Sequence, residues 1–219
     1  MRSCALSLIL LSGLSQPGMA ESAADLLTHA RASIASMAGS FDGAFMQGAG
    51  RTRVPFVVES NRTGAMRYHF NNPGEIVSIV VGQAPEGDLT RVIRGTDVTL
   101  EDLSLWYLQW TPGEVRAENS GGMSFWVVPV TNKTDRGNYS KAEIWIHQTS
   151  LGLFRVDASD KKGVLLRRLE VEHIREFGNQ RIADRLRIST FQQGNKLSST
   201  YVQLARERTE PSASAEKSR

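Results

Sequence analysis

A single cysteine, Cys4, occurs in the 219 residues, and it precedes the one long apolar run instead of following it. No disulfide framework can form, and no thiol is left for metal binding or nucleophilic catalysis beyond the run. A lipid-modified cysteine would have to follow the run, so lipidation is excluded too. Charge of one sign is also lacking. Against 26 Lys+Arg stand 23 Asp+Glu, and the doublets Lys161-Lys162 and Arg167-Arg168 lie among acids rather than in a patch. That balance argues against a nucleic-acid partner. No second stretch of about 18 apolar residues follows the first run, and mean hydropathy is −0.28, which excludes a polytopic membrane protein. Catalytic signatures are missing as well: there is no H-E-x-x-H, no G-x-S-x-G and no P-loop. The four histidines, His29, His69, His147 and His173, are scattered, and each falls on a polar position. The expectation is therefore a non-enzyme with no catalytic residues, no metal site and no cofactor. A hydrolase built on dispersed Ser, His and Asp side chains is the enzymatic alternative.

What is present begins with Met1-Arg2, followed by Ala5, Leu6, Leu8, Ile9, Leu10, Leu11 and Leu14. This is a secretory apolar region too short to span a bilayer, and the small residues of Gly18-Met19-Ala20 place cleavage after Ala20. Residues 1–20 are thus expected as a signal peptide and residues 21–208 as one domain. The tail 209–219 has no large apolar residue and is expected to be disordered. A soluble exported monomer without disulfides points to a bacterial periplasm.

From Ser22 to Ala38 the residues Leu26, Leu27, Ala30, Ile34 and Met37 recur at spacings of three and four, with Ser22 and Asp25 as an N-terminal box and Gly39 as a stop. One amphipathic helix is predicted there, and a short capped helix at Thr99-Leu100-Glu101-Asp102-Leu103. In that second segment the acids are expected to serve the helix N-terminus rather than to form a catalytic pair. Leu105, Leu108 and Trp110 either prolong the short helix or begin a strand. Elsewhere the period is two and turns come at hairpin intervals, so successive strands are antiparallel. Alternation places on one face Phe56, Val58, Met66, Tyr68, Phe70, Ile144, Ile146, Phe154, Val156, Leu169, Val171, Ile182, Leu186, Ile188, Val202 and Leu204. Glu143, Glu170, Glu172, Arg181, Arg185 and Arg187 fall on the other.

A sheet of nine to eleven such strands cannot stay flat, because strands twist and large sheets curl. Its concave apolar face needs a cover, and only one long and one short helix are available. They either plug the hollow or roof it. The fold class is mainly antiparallel β, a strongly curved half-barrel sheet covered by an N-terminal helix and a short central one.

Three segments carry a resemblance. Gly95-Thr96-Asp97-Val98-Thr99-Leu100-Glu101-Asp102-Leu103 is similar to a G-(S/T)-D-(F/V)-(S/T)-(Y/L)-E-D-L run, and Tyr139-Ser140-Lys141-Ala142-Glu143-Ile144-Trp145-Ile146 to a Y-S-(K/R)-x-x-(V/I)-W-I strand. Gly163-Val164-Leu165-Leu166-Arg167-Arg168-Leu169-Glu170-Val171 follows a G-x-L-L-(K/R)-(K/R)-(F/L)-E-V strand, and Trp126 sits beside Phe125, where a cysteine is common. In this order they resemble the outer-membrane lipoprotein-sorting protein family, over Gly95 to Leu204. The resemblance implies a LolA-like half-barrel that shelters acyl chains of lipoprotein or lipid in transport, chaperone-like, between a possible inner-membrane transporter and an outer-membrane acceptor. The alternative is a non-catalytic binding or sensor module on the same fold, docking to a membrane protein. Candidate cavity residues are Phe56, Val58, Met66, Tyr68, Phe70, Ile144, Ile146, Phe154, Leu169, Val171, Leu186 and Ile188 of the sheet, with Ile34 and Met37 of the helix.

Overall fold

The computed structural model describes residues 21–48 and 52–208. The expected signal peptide with its cleavage site after Ala20, and the tail 209–219, lie outside the described residues. Helix α1 (Ala23–Ala35) starts where the capping argument places it: the Ser22 hydroxyl accepts from the Asp25 amide at 3.2 Å. It ends earlier than the periodicity suggests, because Ser36 caps it, and Met37 follows the last turn as a buried residue of the descending chain.

Helix α2 (Leu100–Ser104) carries a complete capping box between Thr99 and Asp102, which sustains a helix of only five residues. Leu105 then takes a left-handed conformation, and a 3₁₀ turn over Trp106–Gln109 follows. Neither continuation expected for Leu105, Leu108 and Trp110 occurs; the left-handed residue ends the α-helix and the chain tightens instead.

The strands are β1 (Gly39–Gln47), β2 (Thr52–Ser60), β3 (Ala65–Phe70), β4 (Glu75–Val80), β5 (Thr111–Pro112), β6 (Arg116–Ser120), β7 (Met123–Thr131), β8 (Lys141–His147), β9 (Leu153–Ser159), β10 (Leu165–Phe177), β11 (Gln180–Gln192) and β12 (Asn195–Glu207). Among the described residues they form one antiparallel sheet of 12 strands, more than the nine to eleven expected. The surplus lies in β5 and β6, both short and both paired with β7.

The order is β4-β3-β2-β1-β12-β11-β10-β9-β8-β7, so two meanders are joined where the first strand meets the last. The segment between β4 and β5 has to pass from one sheet edge to the other. It does so across the open side of the curve. The Gly82 amide bonds to the Ser104 carbonyl at 2.7 Å, and the Asp97 carbonyl accepts from Arg167 of β10 at 2.9 Å. One crossing segment thereby becomes part of the cover.

Alternation assigns the two faces well. Glu170 and Glu172 pair with Arg187 at 2.7 and 3.0 Å, and Arg168 with Asp157 at 2.6 Å, all on the solvated face. Phe154 is a correction. A bulge between Trp145 and Ile146 shifts the β8–β9 register, so that Leu153 takes the core position opposite Ile146. Phe154 packs instead on Phe125 at 4.7 Å between ring centres, and Phe125 in turn contacts Trp145 at 5.7 Å, the polar-parity neighbour of Ile144. A small second apolar cluster therefore occupies the outer face, with Arg155 over the Trp145 ring.

Candidate functional site

Leu26, Leu27 and Ala30 of α1 are fully or almost fully buried and cover the β7–β9 part of the concave face together with the 3₁₀ turn. Ile144 and Ile146, completely buried, belong to that filled half. Toward the seam another part is filled by aromatic rings: Phe45 lies 4.9 Å from Phe56 and 6.0 Å from Phe70, and Phe56 lies 5.3 Å from Tyr68. Gly43 makes this possible, because the Phe56 ring rests where a side chain at that position would project. Phe56, Phe70, Ile144 and Ile146 are thus packed core and do not line the hollow.

What the helix and the rings leave unfilled is a cavity of about 410 Å³. Its wall takes Val58, Met66 and Tyr68 from β2 and β3, Leu169 and Val171 from β10, Leu186 and Ile188 from β11, Ile34 from the last turn of α1 and Met37 from the chain just after it. Seven candidates derived from strand alternation and two from helical spacing therefore meet at one wall. Ile182, Val202 and Leu204, expected on the same face, join them.

Alternation alone misses the roof and the mouth. Leu103 and Leu105 contribute from the crossing segment, and Leu153 from the start of β9. At the mouth stand Ser33, Ser36, Ser150, Ile174 and Arg181, all exposed. The β10–β11 ladder slips twice, between Val171 and His173 and between His173 and Ile174, which ends strict alternation and carries Ile174 and Arg181 into the wall. Bulges of this kind have no compositional signal in these strands.

Away from the mouth the wall is electrostatically quiet. The Tyr68 hydroxyl has only the Met66 sulfur within reach at 3.8 Å, and burial pushes its pKa up to about 12, so it stays a neutral donor. Asp102, the wall's one acid, is compensated: Arg167 lies at 3.2 Å, the Tyr139 hydroxyl donates to it at 3.0 Å and the Thr99 amide at 2.9 Å. Burial nevertheless pushes its pKa up against the pull of Arg167.

These contacts tie together the three segments that carry the family resemblance. Arg167 also donates to the Tyr139 hydroxyl at 2.9 Å, and Thr190, Ser198 and Thr200 all donate to Asp97. The expected role of the acids holds for Asp102 alone. Asp97 clamps β11 and β12, while Glu101 faces away from the helix end and accepts from the Asn138 amide at 2.9 Å and the Trp106 indole at 3.3 Å. Glu101 is fully buried, and burial pushes its pKa up to about 7. With one acid sealed and the others saturated, the cluster offers no accessible proton donor or acceptor to a guest. Among the described residues no three His, Cys, Asp or Glu side chains gather as a metal site. The arrangement suits containment of an apolar group.

A family model described as uncharacterized protein matches residues 81–211. No curated protein matches the sequence. Among solved structures, a LolA superfamily protein from Nitrosomonas europaea superposes with TM-score 0.65 at 16% identity, over 88% of this chain and 96% of its own. An outer-membrane lipoprotein-sorting domain, so named, from Vibrio parahaemolyticus gives 0.63 at 14% identity over 87% and 94%. A DUF1329 family protein from Desulfovibrio piger gives 0.56 at 17% over 84% and 91%. At these identities the likeness establishes the fold, a LolA-like half-barrel.

Proposed function

Since the chain belongs to that family of uncharacterized proteins and has the LolA-like half-barrel, we propose that it is a periplasmic, non-catalytic carrier that shelters an acyl chain of lipid or lipoprotein. The observation that carries the reading is the cavity. An apolar wall that two helices roof without filling is costly unless something apolar enters it, and about 410 Å³ lies in the range of small-molecule pockets. Burial of an acyl chain yields ~0.8 kcal/mol per CH₂, enough to hold a chain of moderate length. Release needs a roof that can lift. The N-terminal half of α1 is anchored by Leu26, Leu27 and Ala30, whereas its C-terminal end, at the mouth, carries exposed Ser33 and Ser36.

The secretory apolar run at residues 5–14 supports export, with the domain spanning 21–208 and starting at Glu21. Native mass spectrometry of the protein taken from periplasmic extract tests both halves of the proposal. The expected spectrum shows a chain beginning at Glu21 and an adduct whose removed mass is that of a lipid or acylated peptide. An adduct-free protein that also fails to take up a fluorescent acyl probe at micromolar concentration would sink the carrier reading.

A further inference from the structure

Two charged residues line the cavity, Asp102 and Arg181. Asp102 is neutralised by Arg167 at 3.2 Å and two further donors. Arg181 has no ion pair, hydrogen bond or aromatic partner among the described residues. Glu176 is its cross-strand partner in the ladder but forms no ion pair with it, and the acid Asp184 of the same strand is already held by His173 at 2.5 Å and Arg175 at 3.1 Å. Among the described residues, Arg181 is therefore the one charged side chain of the lining without an ion pair. It sits at the mouth, where Ile174 is 51% exposed and the wall changes from apolar to wet.

We propose, building on the carrier reading, that the cavity selects single-chain amphiphiles with an anionic head, the tail lying among Leu169, Val171 and Leu186 and the head pairing with the Arg181 guanidinium. The physical reasons are complementary. A tail inserted from the mouth leaves its head within reach of the rim, and a guanidinium presents a planar fork that matches carboxylate or phosphate oxygens. A cationic head would meet a like charge at the same place, and a neutral one would gain at most an ordinary hydrogen bond in place of a charge-assisted pair. The double slip of the β10–β11 ladder is what brings this cation from the solvated face to the wall.

The test uses the purified full-length exported protein and displacement of a neutral fluorescent alkyl probe by four compounds of equal chain length: an alkyl carboxylate, an alkyl phosphate, an alcohol and a trimethylammonium. The carboxylate or the phosphate should bind about fivefold to tenfold more tightly than the alcohol, and the trimethylammonium more weakly still. Whichever of the two anions binds more tightly separates a fatty-acid source from a phospholipid-type one. Arg181→Ala should bring the anions level with the alcohol, with the urea midpoint unchanged because the side chain is exposed. Arg181→Lys should retain part of the preference, and Arg181→Glu should reverse it. Equal binding of all four compounds by the wild type, or a preference for anions that survives Arg181→Ala, would overturn this assignment and leave the carrier reading standing. Failure of every alkyl compound to bind would remove both.

Discussion

Individual side chains on the concave face divide into those that fill space and those that border it, and the two groups should respond differently to truncation. Phe56 touches Phe45, Tyr68 and Phe70 and covers Gly43; its loss leaves a void that no neighbour can close. Phe56→Ala and Phe70→Ala are expected to cost about 3–5 kcal/mol in urea unfolding. Leu186, half-buried and facing a space that already exists, should cost less than about 2 kcal/mol on truncation to Ala. That milder variant should nevertheless weaken uptake of an acyl probe severalfold. Equal losses of stability from Leu186→Ala and Phe56→Ala would mean that the hollow is solid in solution. The aromatic residues of β2 and β3 thus illustrate a limit of sequence reading: their inward direction follows from alternation, but whether an inward ring touches another ring or a space depends on partners such as Phe45 and on a glycine 13 residues away.

Elements are held in place by a few local devices that the sequence displays openly. The capping box of α2 is one: Thr99 and Asp102 exchange hydrogen bonds at 3.2 and 2.9 Å, while Asp102 reaches on to Tyr139 and Arg167. A helix of five residues has little stability of its own, so Thr99→Ala should cost about 1–2 kcal/mol. It should also raise amide exchange throughout the crossing segment, because Asp102 loses a donor that positions it. Unchanged exchange there would show that the tertiary contacts of Asp102 suffice without the box. The start of α1, both helices, the face of most strands and nine of the cavity residues were legible because each follows from spacing or from a capping pair within a few residues. The edges were not. β5 and β6 are too short to show a period, and the register slips at Trp145/Ile146 and His173/Ile174 depend on cross-strand geometry that one strand's sequence does not contain. Phe154 was lost to the cavity by the first of these slips, and Arg181 and Ile174 were gained by the second.

At the scale of the whole molecule, the first and last strands are zipped together at the β1–β12 seam while the segment between β4 and β5 crosses the open face, so global stability depends on the clamp that fixes the crossing segment. Glu101 is central to that clamp, since it joins α2 to the Trp106 indole and to the Asn138 amide of the segment leading into β8. Gly137, at φ 80°, is packed so closely on its carboxyl group that any side chain there would collide with it. This burial pushes the Glu101 pKa from an ordinary 4.5 to about 7, against the opposing pull of its two N–H donors. A folded-state value above the unfolded one means that the native protein binds the proton more tightly. The group's contribution is then fully present below about pH 4.5 and is lost as pH rises through about 7. Between those limits stability from this source falls with rising pH, by an amount on the order of 2 kcal/mol. Glu101→Gln cannot ionise, so the stability of the wild type minus that of the variant should fall by this amount between pH 5 and 8 in paired urea titrations. Taking the difference cancels titrations common to both proteins, such as Asp157, which burial would raise but Arg155 and Arg168 hold below the usual carboxylate range. Parallel pH profiles would show that Glu101 keeps an ordinary affinity for its proton, and that the clamp opens to water as the crossing segment moves.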